Sequence, residues 1–324
     1  MTSIIGFFRG QSVPIYFFIS GFVFFWGVKL SKDVYLQKLK NRVKSLLIPY
    51  LIWNTIAILW QLMYFLPFLS PMFPNVEHIG LDFSFGAIWR SYWGGSENGI
   101  FQYPDFILSS PQNPSLWFVR DLMIVVLCVP ILYLLIKKFR YYIILAMGMV
   151  WFFLCEFMNT PRMEQLSTAF FFFSWGAYMS MNNKDMIAEF GRFFRLSLLL
   201  YPLLAISFCF LTHPYPEIAS VIKRLNIFVG LIFAYDVAAW LLKNKKCKVN
   251  KLLSASSFFL YVAHMLVLDK IMKVLFFCIP PHSDIGVVLL YLLTACVTVL
   301  FLVGIYFFLH RYFPGFLRVL VGRK

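Results

Sequence analysis

The feature that most constrains this chain is its series of long apolar runs without a charged residue, of which Gly286–Leu309 is the clearest. About 20 such residues cross the hydrocarbon core of a bilayer as a helix. The chain is 61% hydrophobic and 13% charged, whereas a soluble domain carries about 25% charged residues. The sequence therefore excludes an ordinary water-soluble enzyme and predicts a polytopic membrane protein.

We predict an all-α fold with one transmembrane helical domain over residues 1–324. Backbone polar groups in lipid need partners within the protein, and no alternating pattern indicates a membrane β-barrel. The predicted spans cover about 12–30, 44–68, 117–136, 141–157, 163–181, 194–211, 225–242, 254–279 and 285–309.

Charge alternates between the segments that connect these spans. One face receives 21 of the 29 Lys and Arg residues, so the positive-inside rule makes it cytoplasmic and places the C-terminus there. Membrane orientation thus explains the net charge of +15 better than a nucleic-acid partner does. The six cysteines show no C-x-x-C spacing, and we expect neither a metal site nor a disulfide framework.

The longest connection, at about 69–116, is predicted to be extracytoplasmic and is rich in Pro, Gly, Trp and Tyr. Connections of this length are usually functional or disordered. Its aromatic residues beside carboxylates could hold a sugar, or they could form an interfacial aromatic belt. The sequence leaves both interpretations open.

His264 is the ionisable residue predicted to lie deepest in a span, about 15 Å beyond Ser254. Ser257 and Tyr261 share its helix face at i, i+4, i+7 spacing, and this polar stripe should face the interior or a water-filled cavity. The imidazole could be a general base, a proton relay or only an interhelical hydrogen-bond partner.

A basic cluster precedes the second predicted span: Lys38, Lys40, Arg42 and Lys44. It is either a topology signal beside anionic lipid or a site for the phosphates of a nucleotide. In the first span, Ser20 and Gly21 predict close approach of another backbone, and Pro14 suits a first helical turn.

These segments together resemble the acyltransferase-3 family of membrane enzymes that acylate bacterial surface glycans. The resemblance is carried, in the family's order, by Pro14–Phe22, Arg42, Leu46–Tyr50, Ser115–Leu122 and the residues Ser257, Tyr261 and His264.

The resemblance implies a bundle of ten helices in the bacterial inner membrane, in contact with its lipids. Such a protein moves an acyl group, often acetyl from acetyl-CoA as co-substrate, to a hydroxyl of a glycan, without a bound cofactor. By this analogy the acyl donor meets Arg42, Lys40 and Lys44, and the catalytic candidates are His264 and Tyr261. Ser20, Trp117, Arg120 and Ser257 would line the acceptor site or its pocket.

Two departures from the family pattern matter. The usual Arg-x-x-Arg is here Arg42-Val43-Lys44-Ser45. The family's catalytic Arg and His on a first helix have no counterpart, and nine spans with a cytoplasmic C-terminus would put Met1 outside. We therefore expect that a first helix has been lost, which would impair activity, and that only His264 is deep enough to serve as base.

Two alternatives to this function remain at this point. The same spans, outer segment and buried His would suit a transporter or flippase for lipid-linked sugars, although the sequence shows neither internal repeats nor broken helices. The chain could also be an inactive relative.

The genomic DNA upstream of Met1 tests the expected loss of a first helix. If the start codon has been assigned too late, an in-frame apolar stretch that contains Arg and His should precede it. An in-frame stop codon directly before Met1 would contradict this version.

Overall fold

The computed structural model describes residues 2–67, 78–104, 106–154, 161–244, 248 and 250–322, and these are helical almost throughout. We number the α-helices in chain order: α1 Thr2–Phe25, α2 Lys32–Arg42, α3 Ile48–Leu62, α4 Phe85–Trp93, α5 Trp117–Leu127, α6 Val129–Phe139, α7 Tyr141–Met149, α8 Pro161–Met181, α9 Met186–Gly191, α10 Phe194–Leu211, α11 Pro216–Lys243, α12 Lys251–Cys278, α13 Asp284–Tyr312 and α14 Pro314–Leu320. Two short strands, β1 Gly80–Leu81 and β2 Phe101–Gln102, pair antiparallel.

The chain divides into two compact units, each built from two stretches of sequence. The first unit comprises Met1–Tyr35 and Ile124–Val249, and the second comprises Leu36–Met123 and Asn250–Lys324. The single domain expected from the sequence stays a prediction.

Within the described ranges, five helical segments are long and apolar enough to cross a membrane: Lys32–Phe65, Phe194–Leu211, Pro216–Lys243, Lys251–Cys278 and Asp284–Tyr312. A sixth crossing is possible if Pro114–Leu127 and Val129–Phe139, which meet at 64°, form one broken span. The all-α prediction is confirmed, since strands account for only two residues each. The count of nine spans is not confirmed.

The predicted span at 117–136 is bent at Cys128, directly before Val129-Pro130, and a proline ring disrupts helical hydrogen bonding. The predicted spans at 12–30 and 141–157 correspond to the apolar helices Ser12–Phe25 and Tyr141–Phe153 within the described residues, and residues 155–157 of the latter span lie outside them. Helix α8 has 21 residues, but its first turns carry Arg162, Glu164 and Gln165.

In the first unit, α1 and α8 cross with their backbones in close contact. A Cβ atom on Gly21 would lie 2.0 Å from the Phe173 carbonyl oxygen, and one on Gly176 would lie 2.0 Å from the Phe18 carbonyl oxygen. The close approach predicted at Ser20-Gly21 is thus confirmed. Pro14 lies inside α1 rather than in its first turn, because the helix begins at Thr2.

In the second unit, aromatic contacts join α3, α12 and α13. The ring of Phe259 packs edge-on against Trp53 at 5.5 Å and against Tyr306 at 5.8 Å between centroids. Helix α14 packs against this group of aromatic residues, and the indole Nε1 of Trp53 donates a hydrogen bond to the Leu320 carbonyl at 3.0 Å. These contacts hold α3 and α12, the two helices that position the candidate site.

Gly176→Ala should destabilise the protein by about 1–3 kcal/mol, because the added methyl meets a backbone carbonyl that cannot rotate away. Thermal unfolding of the purified protein in detergent measures this change. The control is Gly304→Ala in α13, where nothing lies within 4 Å of the added Cβ. Equal midpoints for the two variants would show that the close crossing of α1 and α8 contributes nothing to stability.

A candidate active site in the second unit

The described part of the long connection, from residue 78 to the start of α5, folds around α4. Ser84 caps this helix by accepting a hydrogen bond from the Ala87 backbone N–H at 3.2 Å. Arg90 on α4 holds the following loop, since its Nε donates to the Asn98 carbonyl at 2.8 Å and its Nη1 pairs with Glu97 at 3.1 Å. Hydrogen bonds from Ser84, first from its backbone N–H, lower the pKa of the Asp82 carboxyl below its ordinary value.

Helix α4 packs against the middle part of the helical segment Lys32–Phe65. The Tyr50 hydroxyl donates to the Tyr92 carbonyl, and the Tyr92 hydroxyl lies 2.6 Å from Thr55 Oγ1. Tyr50 and Thr55 both lie well inside a candidate membrane span. The connection therefore reaches the depth of the spans. The side from which it enters, predicted to be extracytoplasmic, stays a prediction.

Asn113 joins this connection to two helices. Its backbone N–H donates to Asn54 Oδ1 on α3 at 3.1 Å, and its Nδ2 donates to the Val262 carbonyl on α12 at 2.8 Å. Its Oδ1 accepts from the Ser115 hydroxyl at 2.8 Å and from the Ser115 N–H at 3.3 Å. Asn54 and Asn113 have no exposed surface. We call Asn54, Asn113, Ser115 and Val262 the polar clamp.

The polar clamp continues to Tyr261 and His264 on α12. The Tyr261 hydroxyl donates to the Ser115 carbonyl, and its ring packs edge-on against Phe118 with centroids 6.0 Å apart. His264 lies almost midway between the ends of α12, in agreement with the depth predicted from the sequence. The structure thus brings both predicted catalytic residues beside the polar clamp.

The contact of His264 with a carbonyl of its own helix favours one tautomer. Its Nδ1 lies 2.7 Å from the Tyr261 carbonyl oxygen. A carbonyl can only accept, so Nδ1 carries the hydrogen, and in the neutral ring Nε2 keeps the lone pair. His264 is half-buried. Nε2 is therefore the nitrogen that can accept a proton.

Arg120 forms a buried ion pair with its neighbour. Its Nε donates to Asp121 Oδ1 at 2.7 Å, its Nη1 donates to the Trp93 carbonyl at 2.8 Å, and neither charged side chain has exposed surface. Gly94 leaves room for this pair, because a Cβ there would lie 3.1 Å from Arg120 Nη1. Arg120 therefore does not line an open pocket in this structure, and its acceptor role stays a prediction.

The polar stripe expected on α12 differs at its first residue. Ser257 is exposed, and its hydroxyl donates back to the Ser254 carbonyl at 3.0 Å. The neighbouring Ser256 is the buried serine, with no exposed surface. Ideal spacing places Ser257 on the face of Tyr261 and His264, but in the second turn of α12 the packed side of the helix is the one that carries Ser256.

The remaining predicted residues are more dispersed. Trp117 and Ser20 are both half-buried. Trp117 begins α5 in the second unit, and Ser20 lies in the first unit. Lys40 and Lys44 are exposed, and Arg42 is half-buried where α2 gives way to a π-helical turn, Val43–Leu47. The basic cluster is accessible for anions, but its side chains do not form an enclosed site among the described residues.

Sequence reasoning missed Asn54 and Asn113. An isolated amide inside an apolar run was the available signal for Asn54, since such a group needs a partner in lipid. Nothing in the sequence indicates that its partner is 59 residues away. Among the described residues, no group of three or more His, Cys, Asp or Glu side chains could hold a metal ion.

Asn113→Ala should lower the free energy of unfolding by about 1–3 kcal/mol, because it leaves the Val262 carbonyl and the Ser115 hydroxyl without this partner. Hydrogen exchange around residues 108–118 should increase with it. The control is Asn182→Ala, whose exposed amide bonds only within its own helix end, to the Tyr178 carbonyl. If hydrogen exchange around residues 108–118 is unchanged in Asn113→Ala, the polar clamp does not hold this connection in place.

Comparison with known proteins gives one match. The sequence model of the acyltransferase-3 family, described as an acyltransferase domain, matches residues 1–308. Searches of curated proteins and of solved structures gave no match. Since the family match covers nearly the whole chain, this multi-pass membrane protein belongs to the acyltransferase-3 family.

Proposed function

We propose that the protein transfers an acetyl group from acetyl-CoA to a hydroxyl of a cell-surface glycan. The family supports acyl transfer in general. The observation that carries the proposal is the position of His264, which lies midway along a candidate span beside a buried polar clamp, with its Nδ1 in contact with the Tyr261 carbonyl.

In this mechanism the acceptor hydroxyl attacks the thioester carbonyl carbon. A hydroxyl is a weak nucleophile at neutral pH, so Nε2 of His264 takes its proton as the new C–O bond forms. The tetrahedral intermediate then collapses, the C–S bond breaks, and the imidazolium returns the proton to the leaving sulfur. The products are the acetyl ester and CoA.

Positioning of the base follows from the contacts around it. Tyr261 and Val262 are held by Ser115 and Asn113, so the turn of α12 that carries His264 is fixed against the connection from α4 to α5. Such support keeps a catalytic group within the narrow geometry that proton transfer requires. Tyr261 acts in this proposal through its bond to Ser115 rather than on the substrate.

We place the donor on the cytoplasmic side of the bacterial inner membrane, near Arg42, Lys40 and Lys44. The basic segment before α3 and the C-terminal segment lie side by side, since a Cβ on Gly322 would be 2.5 Å from the Ser45 carbonyl oxygen. This contact supports the same side for both segments, as the positive-inside pattern requires.

We place the acceptor near the aromatic residues of α4 and the start of α5. Trp89 and Trp93 stack with centroids 5.7 Å apart, and Trp89 is exposed. An exposed indole beside polar loops is a surface on which a sugar ring can pack.

We also retain the proposal that the chain crosses the membrane nine times. The nine crossings would be the six candidate crossings together with α1, α7 and α8.

One observation favours the transport alternative. The sequence showed no broken helix, yet α5 and α6 meet at 64°. Discontinuous helices near the midplane are common in transporters. The break removes one of the two arguments against a flippase, and the assay below distinguishes the two functions.

Membranes that contain the protein should transfer label from acetyl-CoA to extracted glycans. His264→Ala should reduce this transfer by about 10²-fold or more, because general-base catalysis contributes that much. His282→Ala, which alters an exposed histidine, is the control. Labelled glycan at the wild-type rate in His264→Ala would exclude it as the base, and movement of unlabelled glycan without esterification would indicate a flippase.

Arg42→Ala should also abolish transfer, through loss of donor binding. The expected sign is a raised KM for acetyl-CoA, measured at fixed glycan concentration. Arg195→Ala, which alters an exposed basic residue outside the basic cluster, serves as the control. If both variants keep the wild-type KM, the basic cluster does not bind the donor.

A further inference from the structure

A cleft of about 700 Å³ lies between α9 and α11 in the first unit. It plays no part in the proposed reaction. Its lining combines apolar, acidic and basic side chains: Asp185, Ile187, Ala188, Gly191, Phe194, Asp236, Ala239, Trp240, Leu242 and Lys243. Asp236, Trp240 and Lys243 follow i, i+4, i+7 spacing and so form one face of α11.

Asp236 lies at the base of this cleft with an incomplete set of hydrogen bonds. The side chain is 5% exposed, and its Oδ2 has no hydrogen-bond partner among the residues that the structure describes. Its Oδ1 lies 4.0 Å from the position of a Cβ on Gly191, so a larger side chain at this position would extend beside the carboxylate. A buried carboxylate without a partner is costly. Because Asp236 lines the cleft, a hydrogen-bond donor or a cation bound there can pair with its carboxylate.

The charges of the cleft favour a cationic group. Asp185, Asp236 and Lys243 are the charged residues of the lining. Asp185 caps α9 through its Oδ1, which accepts from the Ile187 and Ala188 backbone N–H groups at 2.9 and 3.3 Å, and its Oδ2 is the oxygen left for a ligand. The neighbouring basic residues Lys184 and Arg192 pair with Glu189, at 3.5 and 3.3 Å. The cleft is thus acidic in a chain of net charge +15. A ligand with an ammonium for the carboxylates and an anionic group for Lys243 would complement it.

The depth of the cleft indicates where this ligand comes from. Helix α11 has 28 residues, or about 42 Å, and exceeds the hydrocarbon thickness of about 30 Å by roughly 6 Å at each end. Asp236 lies about 10 Å from Lys243 along the axis, hence about 4 Å inside the hydrocarbon boundary. Ile187, Trp240 and Leu242 at the rim are exposed, as is typical of the membrane interface.

We propose that this cleft binds a phospholipid whose headgroup carries a primary ammonium, as in phosphatidylethanolamine. The ammonium donates to Asp236 and Asp185, the phosphate pairs with Lys243, and the acyl chains lie against the apolar rim. A trimethylammonium headgroup has no N–H to donate, and an anionic glycerol headgroup would face two carboxylates. The site therefore selects among headgroups.

The test compares the lipids retained by the purified full-length protein in nanodiscs of equal phosphatidylethanolamine, phosphatidylcholine and phosphatidylglycerol, measured by native mass spectrometry. The wild type should retain phosphatidylethanolamine preferentially. Asp236→Asn should reduce this preference about tenfold, the effect of losing one charge-assisted hydrogen bond. Asp284→Asn, the same change at an exposed position outside the cleft, should leave it unaltered.

Gly191→Leu provides a second variant, which fills the cleft without changing its charge. It should also release the lipid, whereas Gly304→Leu, at an open helical position, should not. Equal retention of the three lipids by the wild type would overturn the proposal, as would a preference unchanged in both cleft variants. Soluble phosphoethanolamine that competes as well as the lipid would overturn the assignment to a membrane ligand.

Discussion

The second unit depends on the need of every buried polar group for a partner where water is absent. Asn113 shows how this need is met: its backbone N–H, Nδ2 and Oδ1 all form hydrogen bonds, and these reach α3, α12 and Ser115. In an apolar medium such bonds are directional where hydrophobic packing is not, so they fix the depth at which the connection meets the helices. The same bonds hold the turn of α12 that carries His264.

The sequence predicted the helices that contain long uncharged runs. Predicted spans at 194–211 and 285–309 correspond to α10 and α13, because the uncharged runs 196–211 and 286–309 have few alternatives in lipid. The structure differs from the prediction where a local feature competes with hydropathy. Pro130 accompanies the break after Cys128, and α1 continues through Pro14, which apolar content alone does not reveal.

The candidate site was only partly predictable. The central position of His264 along its helix follows from counting residues, and α12 has His264 at its middle. The choice between Ser256 and Ser257 depends on which side of α12 is packed, which the helical period does not decide. Asn113 and Val262 are 149 residues apart in sequence, and only the folded chain brings them together. The full enclosure of the Arg120–Asp121 ion pair could not be predicted for the same reason, since only the folded chain shows that this helix end is buried.

The polar clamp and the cleft beside α11 differ in how their buried polar atoms are paired, and this difference has functional meaning. The polar clamp in the second unit satisfies its amides with protein groups, which makes it a rigid support for chemistry. In the first unit, both amide atoms of Asn226 and Oδ2 of Asp236 lack partners among the described residues. Satisfied groups define where the protein is rigid, whereas unsatisfied ones indicate where something else completes it. Asp236 lines an open cleft. In our proposal the partner of its carboxylate is therefore the ammonium of a phospholipid headgroup at the membrane surface.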